Sequence, residues 1–432
     1  MLSRKLTFSP DKDKDEAFFQ ELPATPAVFL LRGDGEPYVS KSANLRRRLI
    51  RLLGPPREQS KRLNLRDRVR EVEFTATGSD FESQFLLYQL LRSTFPKTYS
   101  ARLRLRFAPL IKLHLENEYP RASVTTRLGK LSPKHLGATG VPPVESSEAR
   151  LASDGNPSGL RPEDGRDARL STRNLYYGPF PSRAAAEQFA SNALDFFKMR
   201  RCVDDLHPDP AFPGCVYSEM KMCLAPCFKG CTDSDYHAEV ARVQAFFDTG
   251  GDSLNRELAQ YRDHASNQLA FEDAAAVHAK IEKLKPLLSQ FPEIVRRIDR
   301  LDAIIIQPSA EPDSISLFRF TSGCVSGPAH FSIQHSPSSG SMEARVEEAI
   351  ASFPTPESKS SVERMEHLAL LKRWYYRSSR VGEIFFADDK GSWPLRKIVR
   401  GIGRVHKGEN PPEHTIFSAT LPEAPPSQGY EQ

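Results

Sequence analysis

Apolar and polar positions alternate in short runs near the start of the chain, as in the strands and helices of a small α+β unit. Residues 27–40 form two β-rich runs on either side of a Gly-Asp-Gly turn at 33–35, a pattern that predicts a hairpin. Leucines then recur at helical spacing through residues 45–53 until Gly54 and two prolines follow. This segment is predicted to be a helix.

The pattern continues with a second strand and helix. Residues 71–76 predict a strand, and Ser79 is placed to cap a helix that runs to Leu91. The alternating run at 111–115 predicts a strand that closes this unit of about 100 residues, a size typical of one domain.

The remaining periodic segments are mostly helical and then mixed. Residues 182–200 predict one helix, and residues 235–288 predict helix almost throughout. The last part of the chain predicts two strands and two helices, so the whole chain is expected to be α+β. These elements lie at 302–307, 314–320, 343–353 and 362–378.

Two segments show neither helical nor strand periodicity. Residues 132–171 are rich in Pro, Gly, Ser and Asp, and residues 410–432 are rich in Pro; both are predicted to be disordered. Six cysteines in 432 residues do not make a disulfide scaffold. With no long apolar run and a polar N-terminus, we expect a cytoplasmic protein of several domains without a membrane segment.

Positive charge is concentrated near the predicted hairpin. The net charge is only +5, yet residues 41–70 contain eleven lysines and arginines against two acids, Glu58 and Asp67. Such a run can contact phosphates without base recognition, although an ordinary solvated helix face would look similar.

A strand-end tyrosine lies inside this basic run. Tyr38 is followed by Lys41 and, on the predicted helix, by Arg48. Cations beside a tyrosine hydroxyl favour its phenolate form and can stabilise charge on a phosphate. The alternative is a half-buried structural tyrosine beside a solvated basic face.

The spacing of these residues carries a resemblance. AVF at 27–29, YVSK at 38–41 and NLRRR at 44–48 resemble the GIY-YIG nuclease module, specifically the version at the N-terminus of the UvrC family of excinucleases. The resemblance implies that Tyr38 is the general base, with Lys41 and Arg48 as phosphate stabilisers and one Mg or Mn ion as Lewis acid. It also implies DNA contacts from the same helix. Those residues are Arg46, Arg47 and Arg51.

Several positions depart from the pattern of that family. Phe29 stands in place of the first tyrosine and Ser40 in place of a glycine. The family's metal-binding glutamate falls on Leu87 and its asparagine on Tyr99, while Glu82 lies about 140° around the helix from Leu87. Both an active nuclease and a module that only binds DNA therefore stay open.

Five of the six cysteines fall within residues 202–231. Four of them form the spacing C-x12-C-x7-C-x3-C, and this clustering in a cytoplasmic chain predicts a metal site. The spacing alone leaves zinc and an iron-sulfur cluster equally open.

The residues around the cysteines resemble the UvrC segment that follows the nuclease module. The resemblance lies in YYGPF at 176–180, in residues 181–202 and in MCLAPC at 222–227. It implies a [4Fe-4S] cluster, with zinc as the alternative. The implied ligands are Cys202, Cys215, Cys223 and Cys227.

Residues 254–288 predict two amphipathic helices with a break at 269–271. The phrase NQLAFEDAAAVHAKIEKL resembles the UVR motif, a helical hairpin through which UvrC and UvrB associate. The resemblance implies a UvrB-like helicase subunit as partner, contacted by Leu269 and Phe271. The alternative is a hairpin that only packs on its own chain.

Together these features predict a UvrC-like nucleotide-excision-repair protein that binds DNA, and they leave open whether it also incises a phosphodiester bond. The alternatives are a nuclease-inactive DNA-binding adaptor and a zinc-stabilised structural protein. Residues 298–408 show no helix-hairpin-helix glycine signature and no acidic pattern of the RNase H type found in UvrC. The predicted organisation is a GIY-YIG-like domain (22–106), a linker (132–171), a cysteine-rich iron-sulfur segment (172–232), a UVR hairpin (250–289), a C-terminal α/β region (298–408) and a tail (410–432).

Overall fold

A computed structural model describes most of the chain. The predicted linker at 132–171 and the predicted tail at 410–432 lie outside the described residues. The described residues are 2–55, 63–129, 174–334, 340–354 and 360–409.

The described residues form a mixed α/β structure with three four-stranded antiparallel sheets, which agrees with the predicted α+β class. The strands are β1 (Arg4–Thr7), β2 (Ala27–Gly33), β3 (Tyr38–Ser42), β4 (Val69–Ala76), β5 (Leu110–Leu113), β6 (Ala122–Thr125), β7 (Leu175–Gly178), β8 (Arg296–Arg297), β9 (Asp302–Pro308), β10 (Ser314–Thr321), β11 (Cys324–Ser332) and β12 (Glu383–Phe386). The helices are α1 (Lys12–Glu21), α2 (Leu45–Leu53), α3 (Asp80–Thr94), α4 (Tyr99–Leu103), α5 (Arg183–Leu194), α6 (Val216–Glu219), α7 (Asp233–Asp248), α8 (Asp252–Asn267), α9 (Phe271–Ser289), α10 (Met342–Ala351), α11 (Ser361–Tyr375) and α12 (Leu395–Lys407).

The first sheet has the strand order β1-β4-β2-β3. The predicted hairpin is confirmed as β2 and β3, and the predicted helix as α2, with Asn44 as its N-cap and Gly54 as its C-cap. Leu45, Leu49 and the inward residues of β2 share one buried cluster. The sequence patterns did not predict β1 or α1.

The strand predicted at 111–115 exists, but its predicted place was wrong. It is β5, which pairs with β6 and β7 in the second sheet, of order β6-β5-β7-β8, rather than closing the first sheet. A run of alternating apolar and polar residues predicts a strand with one buried face, but it does not indicate which strands lie beside it.

The helical predictions hold with two changes. The helix predicted over 182–200 is α5, which ends at Leu194. The helical stretch predicted over 235–288 has an additional break between α7 and α8, whereas the break between α8 and α9 lies where the sequence predicted one, at 269–271. At the first break Gly251 has φ +93°, a left-handed conformation that glycine adopts without a Cβ clash.

The third sheet, of order β11-β10-β9-β12, lies between two helical layers. Ile304 and Ile306 face a cluster with α10 and α12, whereas Ala303 and Ile305 face the large central core with α11. The isoleucine run of β9 is therefore buried on both faces.

Helix α3 joins the first sheet to this third sheet. Its Phe81 ring packs edge-on against Phe318 at 5.1 Å and lies 5.3 Å from Trp374. A Cβ on Gly78, just before α3, would lie 2.1 Å from the carbonyl oxygen of Pro308, so only glycine permits this approach.

Candidate functional site

Tyr38 and Arg48 lie together in the structure. Tyr38 begins β3 and Arg48 lies one turn into α2, where Nη2 of Arg48 donates a hydrogen bond of 3.0 Å to the Tyr38 hydroxyl oxygen. Phe29 is fully buried beside them, with its ring centroid 6.2 Å from that of Tyr38. The guanidinium therefore contacts the oxygen that a general base would use.

Lys41 does not join this pair. Side chains alternate between the two faces of a strand, so Tyr38 and Lys41, three residues apart, extend to opposite faces of β3. Tyr38 meets α2, whereas Nζ of Lys41 donates to the carboxylate of Asp80 on α3 at 2.5 Å. The predicted trio is thus divided by the sheet.

Asp80 also binds a cation from the C-terminal region. Nη1 of Arg377 donates to its second oxygen at 2.6 Å. Burial raises the pKa of Asp80, but Lys41 and Arg377 outweigh that effect and the net pKa is lowered. Burial, with Arg373 and Arg377 nearby, lowers the pKa of Lys41 against the opposing effect of Asp80. The sequence pattern indicated only that a helix begins near Asp80 and gave no sign of these ion pairs.

The other residues that the resemblance brought to this region have different surroundings. Leu87 is half-buried on α3, and Tyr99 donates to the Glu366 carboxylate on α11 at 3.0 Å. Glu82 is 4% exposed and accepts a bond from the backbone N–H of Gly78 at 2.9 Å. Burial raises the pKa of Glu82.

The three predicted DNA-binding arginines have different roles in the fold. Arg46 donates to the backbone oxygens of Leu22 and Gln20, which ties α2 to the end of α1. Arg47 and Arg51 are exposed. Since α2 has no acidic residue in its first turn, these two side chains form a positive surface.

The cysteine-rich segment follows α5 and consists mainly of turns. All five of its cysteines are free and half-buried. Burial, together with the neighbouring thiols Cys202, Cys227 and Cys215, raises the pKa of Cys223 to about 11. Lys221, Ala225 and Lys229 lie in this segment with φ between +56° and +59°, conformations that cost free energy in non-glycine residues.

Two donors are directed at sulfur atoms of this segment. Nη1 of Arg200 lies 3.4 Å from Sγ of Cys202, and the backbone N–H of Ala225 lies 3.3 Å from Sγ of Cys223. Arg200 is 2% exposed and also donates to two backbone oxygens. Arg200 therefore presents a cationic N–H donor to the sulfur of Cys202. The cysteine spacing gave no indication of Arg200, although this residue lies two positions before Cys202.

Within the described parts of the chain, no three His, Cys, Asp or Glu side chains are grouped so as to hold a metal ion. Nor does any helix there have the length and apolar character that crossing a membrane requires.

Helices α8 and α9 pack against each other as an antiparallel hairpin. Leu269, in the connection between them, has φ +61° and is 72% exposed, and Phe271 at the start of α9 is 64% exposed. Both residues predicted to contact a partner therefore lie at the tip of the hairpin and face solvent.

The middle of the chain matches a known protein family. Residues 160–246 match the family described as "UvrC/Cho excinuclease, middle domain". This range holds the whole cysteine-rich segment and most of α7. No solved structure was found to match the chain.

Curated relatives extend the similarity over more of the chain. "UvrABC system protein C" of Rhodospirillum rubrum is 23% identical over 346 residues, which are 79% of this chain and 47% of the relative. The protein of the same name from Hydrogenovibrio crunogenus is 25% identical over 79% of this chain and 48% of the relative. The chain therefore spans about half the length of these relatives. Together with the family match, they identify a UvrC-like protein.

Proposed function

We propose that the chain is a nucleotide-excision-repair protein of the UvrC kind that binds DNA through its N-terminal module. The similarity to UvrABC system protein C supports the repair role. The observation that carries DNA binding is the exposed positive surface of Arg47 and Arg51 on α2. Such a surface binds phosphates by counterion release and needs no base contacts. A cytoplasmic location is part of the proposal.

The geometry favours binding without cutting. Lys41 lies on the other face of β3 from Tyr38 and is paired with Asp80. Of the nearby carboxylates, Glu82 is buried and bonded to Gly78, and both oxygens of Asp80 carry cations. Leu87 cannot bind Mg²⁺, which takes oxygen ligands. Neither of these two carboxylates, among the described residues of the module, is therefore available to hold the metal.

Metal-dependent incision is the second candidate function. The contact between Arg48 and Tyr38 favours it, because it places the proposed phosphate-stabilising cation beside the proposed general base. In that case Tyr38 would take a proton from water, and Mg or Mn would supply Lewis-acid stabilisation of the phosphate.

The cysteine-rich segment is proposed to hold a [4Fe-4S] cluster. The chemistry of the donor set supports this proposal: the four thiols are half-buried, and N–H donors from Arg200 and Ala225 reach two of the sulfurs. In the described structure the thiols are not gathered around one metal position, so cluster binding would have to draw them together. Hydrogen bonds to sulfur are one means by which proteins tune iron-sulfur centres. The ligands would be Cys202, Cys215, Cys223 and Cys227, with zinc as the alternative metal.

The α8–α9 hairpin is proposed to bind a UvrB-like helicase subunit. Leu269 and Phe271 are large apolar side chains that are exposed at its tip, and exposed apolar surface of this kind is buried when a partner binds.

DNA binding is tested by fluorescence anisotropy of the purified protein with a labelled duplex. We expect binding that weakens as salt rises, and a shallower salt dependence, by about 2 in log–log slope, for Arg47→Gln/Arg51→Gln. Lys280→Gln/Lys283→Gln on α9 removes the same charge elsewhere and serves as the control. Absence of binding by the wild type at low salt would overturn the proposal.

A further inference from the structure

Helix α12 presents a single basic face. Its sequence, LRKIVRGIGRVHK, contains five lysines and arginines and no aspartate or glutamate. At about 100° per residue, all five fall within about 100° of the helix circumference. We call these residues the α12 basic stripe: Arg396, Lys397, Arg400, Arg404 and Lys407.

The opposite face of α12 fixes the orientation of the stripe. Ile398 and Ile402 are buried against the third sheet, and a Cβ on Gly401 would lie 2.6 Å from the Phe385 ring. Arg404 donates two bonds of 2.7 Å to the buried carboxylate of Glu383. The helix therefore cannot rotate to hide its cations.

The other four cations of the stripe point to solvent. Arg396 is 85% exposed on its side chain, and the carboxylate of Glu343 lies 3.8 Å away, beyond hydrogen-bond distance. Lys397, Arg400 and Lys407 are also exposed. Like charges at i and i+4, such as Arg396 and Arg400, repel each other along a helix. Anions bound along the stripe would relieve that repulsion.

Gly403 lies beside the stripe on the same side of the helix. A Cβ at Gly403 would meet no atom within 4 Å, so the surface there is open. A ligand can approach the helix backbone closely at this point.

We propose that the α12 basic stripe binds the phosphates of duplex DNA as a second contact surface, separate from α2. This inference rests on the proposed DNA-binding function. The stripe spans about 16 Å, enough to contact several phosphates along one strand. It carries no aromatic residue on which unpaired bases could stack. Because the apolar face of α12 is buried, the helix has no apolar surface to insert into a membrane.

The test compares two variants of the full chain that lose the same charge. One variant replaces the four exposed stripe cations (Arg396→Gln, Lys397→Gln, Arg400→Gln, Lys407→Gln). The matched control replaces four exposed cations of the α8–α9 hairpin (Arg256→Gln, Lys280→Gln, Lys283→Gln, Lys285→Gln). Anisotropy with a labelled duplex is recorded between about 50 and about 200 mM salt.

We expect the log–log salt slope to fall by about 3 in the stripe variant, with affinity lost more than tenfold at the lowest salt, and little change in the control. An unchanged slope, or an equal loss in the control, would overturn the stripe proposal. Loss of binding to phosphatidylserine vesicles with unchanged DNA binding would identify a membrane as the partner and also overturn it. A wild type that binds no DNA would instead overturn the proposed function.

Circular dichroism shows whether the stripe variant is folded. If it is not, Arg396→Gln/Arg400→Gln and Lys397→Gln/Lys407→Gln are measured separately. Each pair should then lower the slope by about half as much, and no change in either pair would contradict the proposal.

Discussion

Tyr38 and Lys41 extend to opposite faces of β3, so the tyrosine contacts α2 and the lysine contacts α3. The Tyr38 hydroxyl accepts a bond from Arg48, while Lys41 is paired with Asp80. A phosphate placed at the Tyr38 oxygen would therefore be stabilised by Arg48 without Lys41. This separation underlies the proposal that the N-terminal module binds DNA without cutting it.

Loss of one buried hydrogen bond between α3 and α11 should destabilise the protein. The Tyr88 hydroxyl donates to the Glu366 carboxylate at 2.9 Å, and both residues are at most 2% exposed. Tyr88→Phe leaves this carboxylate short of a donor, which we expect to cost about 1–3 kcal/mol of unfolding free energy in urea denaturation.

Tyr99→Phe is the matched control, since Tyr99 binds the same carboxylate at 3.0 Å but is more exposed. Tyr99→Phe should therefore lose less unfolding free energy than Tyr88→Phe. If Tyr88→Phe proves as stable as the wild type, the buried contact between α3 and α11 is not formed.

Much of the local structure could be predicted from the sequence. The leucine spacing of residues 45–53 predicted α2, and the isoleucines of residues 302–307 predicted β9. These elements depend on local periodicity and capping, which neighbouring residues decide.

Relationships between distant residues could not be predicted. The pairing of Asp80 with Arg377, and the place of β5 in the second sheet, depend on which elements meet in the folded chain. Arg200 was missed for the same reason, because only the fold shows that it is buried beside Cys202.

The stability of the protein should fall on mild acidification because of His114. Burial, with Lys112, Arg121 and Arg200 nearby, lowers the pKa of His114 to about 4. The unfolded chain takes up this proton below about 6.5, so unfolding is favoured as pH falls from about 6.5 to about 4. His114→Gln removes this titration.

Thermal unfolding at pH about 7 and about 5 measures the effect. Between these two pH values, the melting temperature of His114→Gln should fall less than that of the wild type. The melting temperature of His278→Gln, a variant at an exposed site, should fall as much as that of the wild type. Equal falls in all three proteins would show that His114 does not contribute.

Removal of one proposed ligand should abolish the iron-sulfur cluster. The wild-type protein, purified without oxygen, is expected to absorb at about 400 nm and to contain about four iron atoms per chain. Cys223→Ser should lose both, since its thiolate would be one of four ligands.

Cys231→Ser is the control, because Cys231 lies in the same segment but outside the proposed ligand set. It should keep the absorbance and the iron. A colourless wild-type protein that contains zinc would contradict the iron-sulfur cluster and support zinc as the bound metal.

Shortening the two apolar side chains at the tip of the hairpin should weaken partner binding without unfolding the protein. Leu269→Ala/Phe271→Ala removes two exposed apolar side chains, and we expect affinity for a UvrB-like subunit to fall at least about tenfold in calorimetry. Val362→Ala, which is 50% exposed on α11, is the control and should bind normally. Unchanged affinity in the hairpin variant would contradict the proposed contact.

The most direct test of the central claim is nicking of supercoiled plasmid DNA in the presence of magnesium or manganese, measured beside DNA binding on the same preparation. We predict salt-sensitive binding by the wild type with no nicking above that of the Tyr38→Phe variant. Metal-dependent nicking by the wild type that is lost in Tyr38→Phe would contradict the account and would establish an active nuclease.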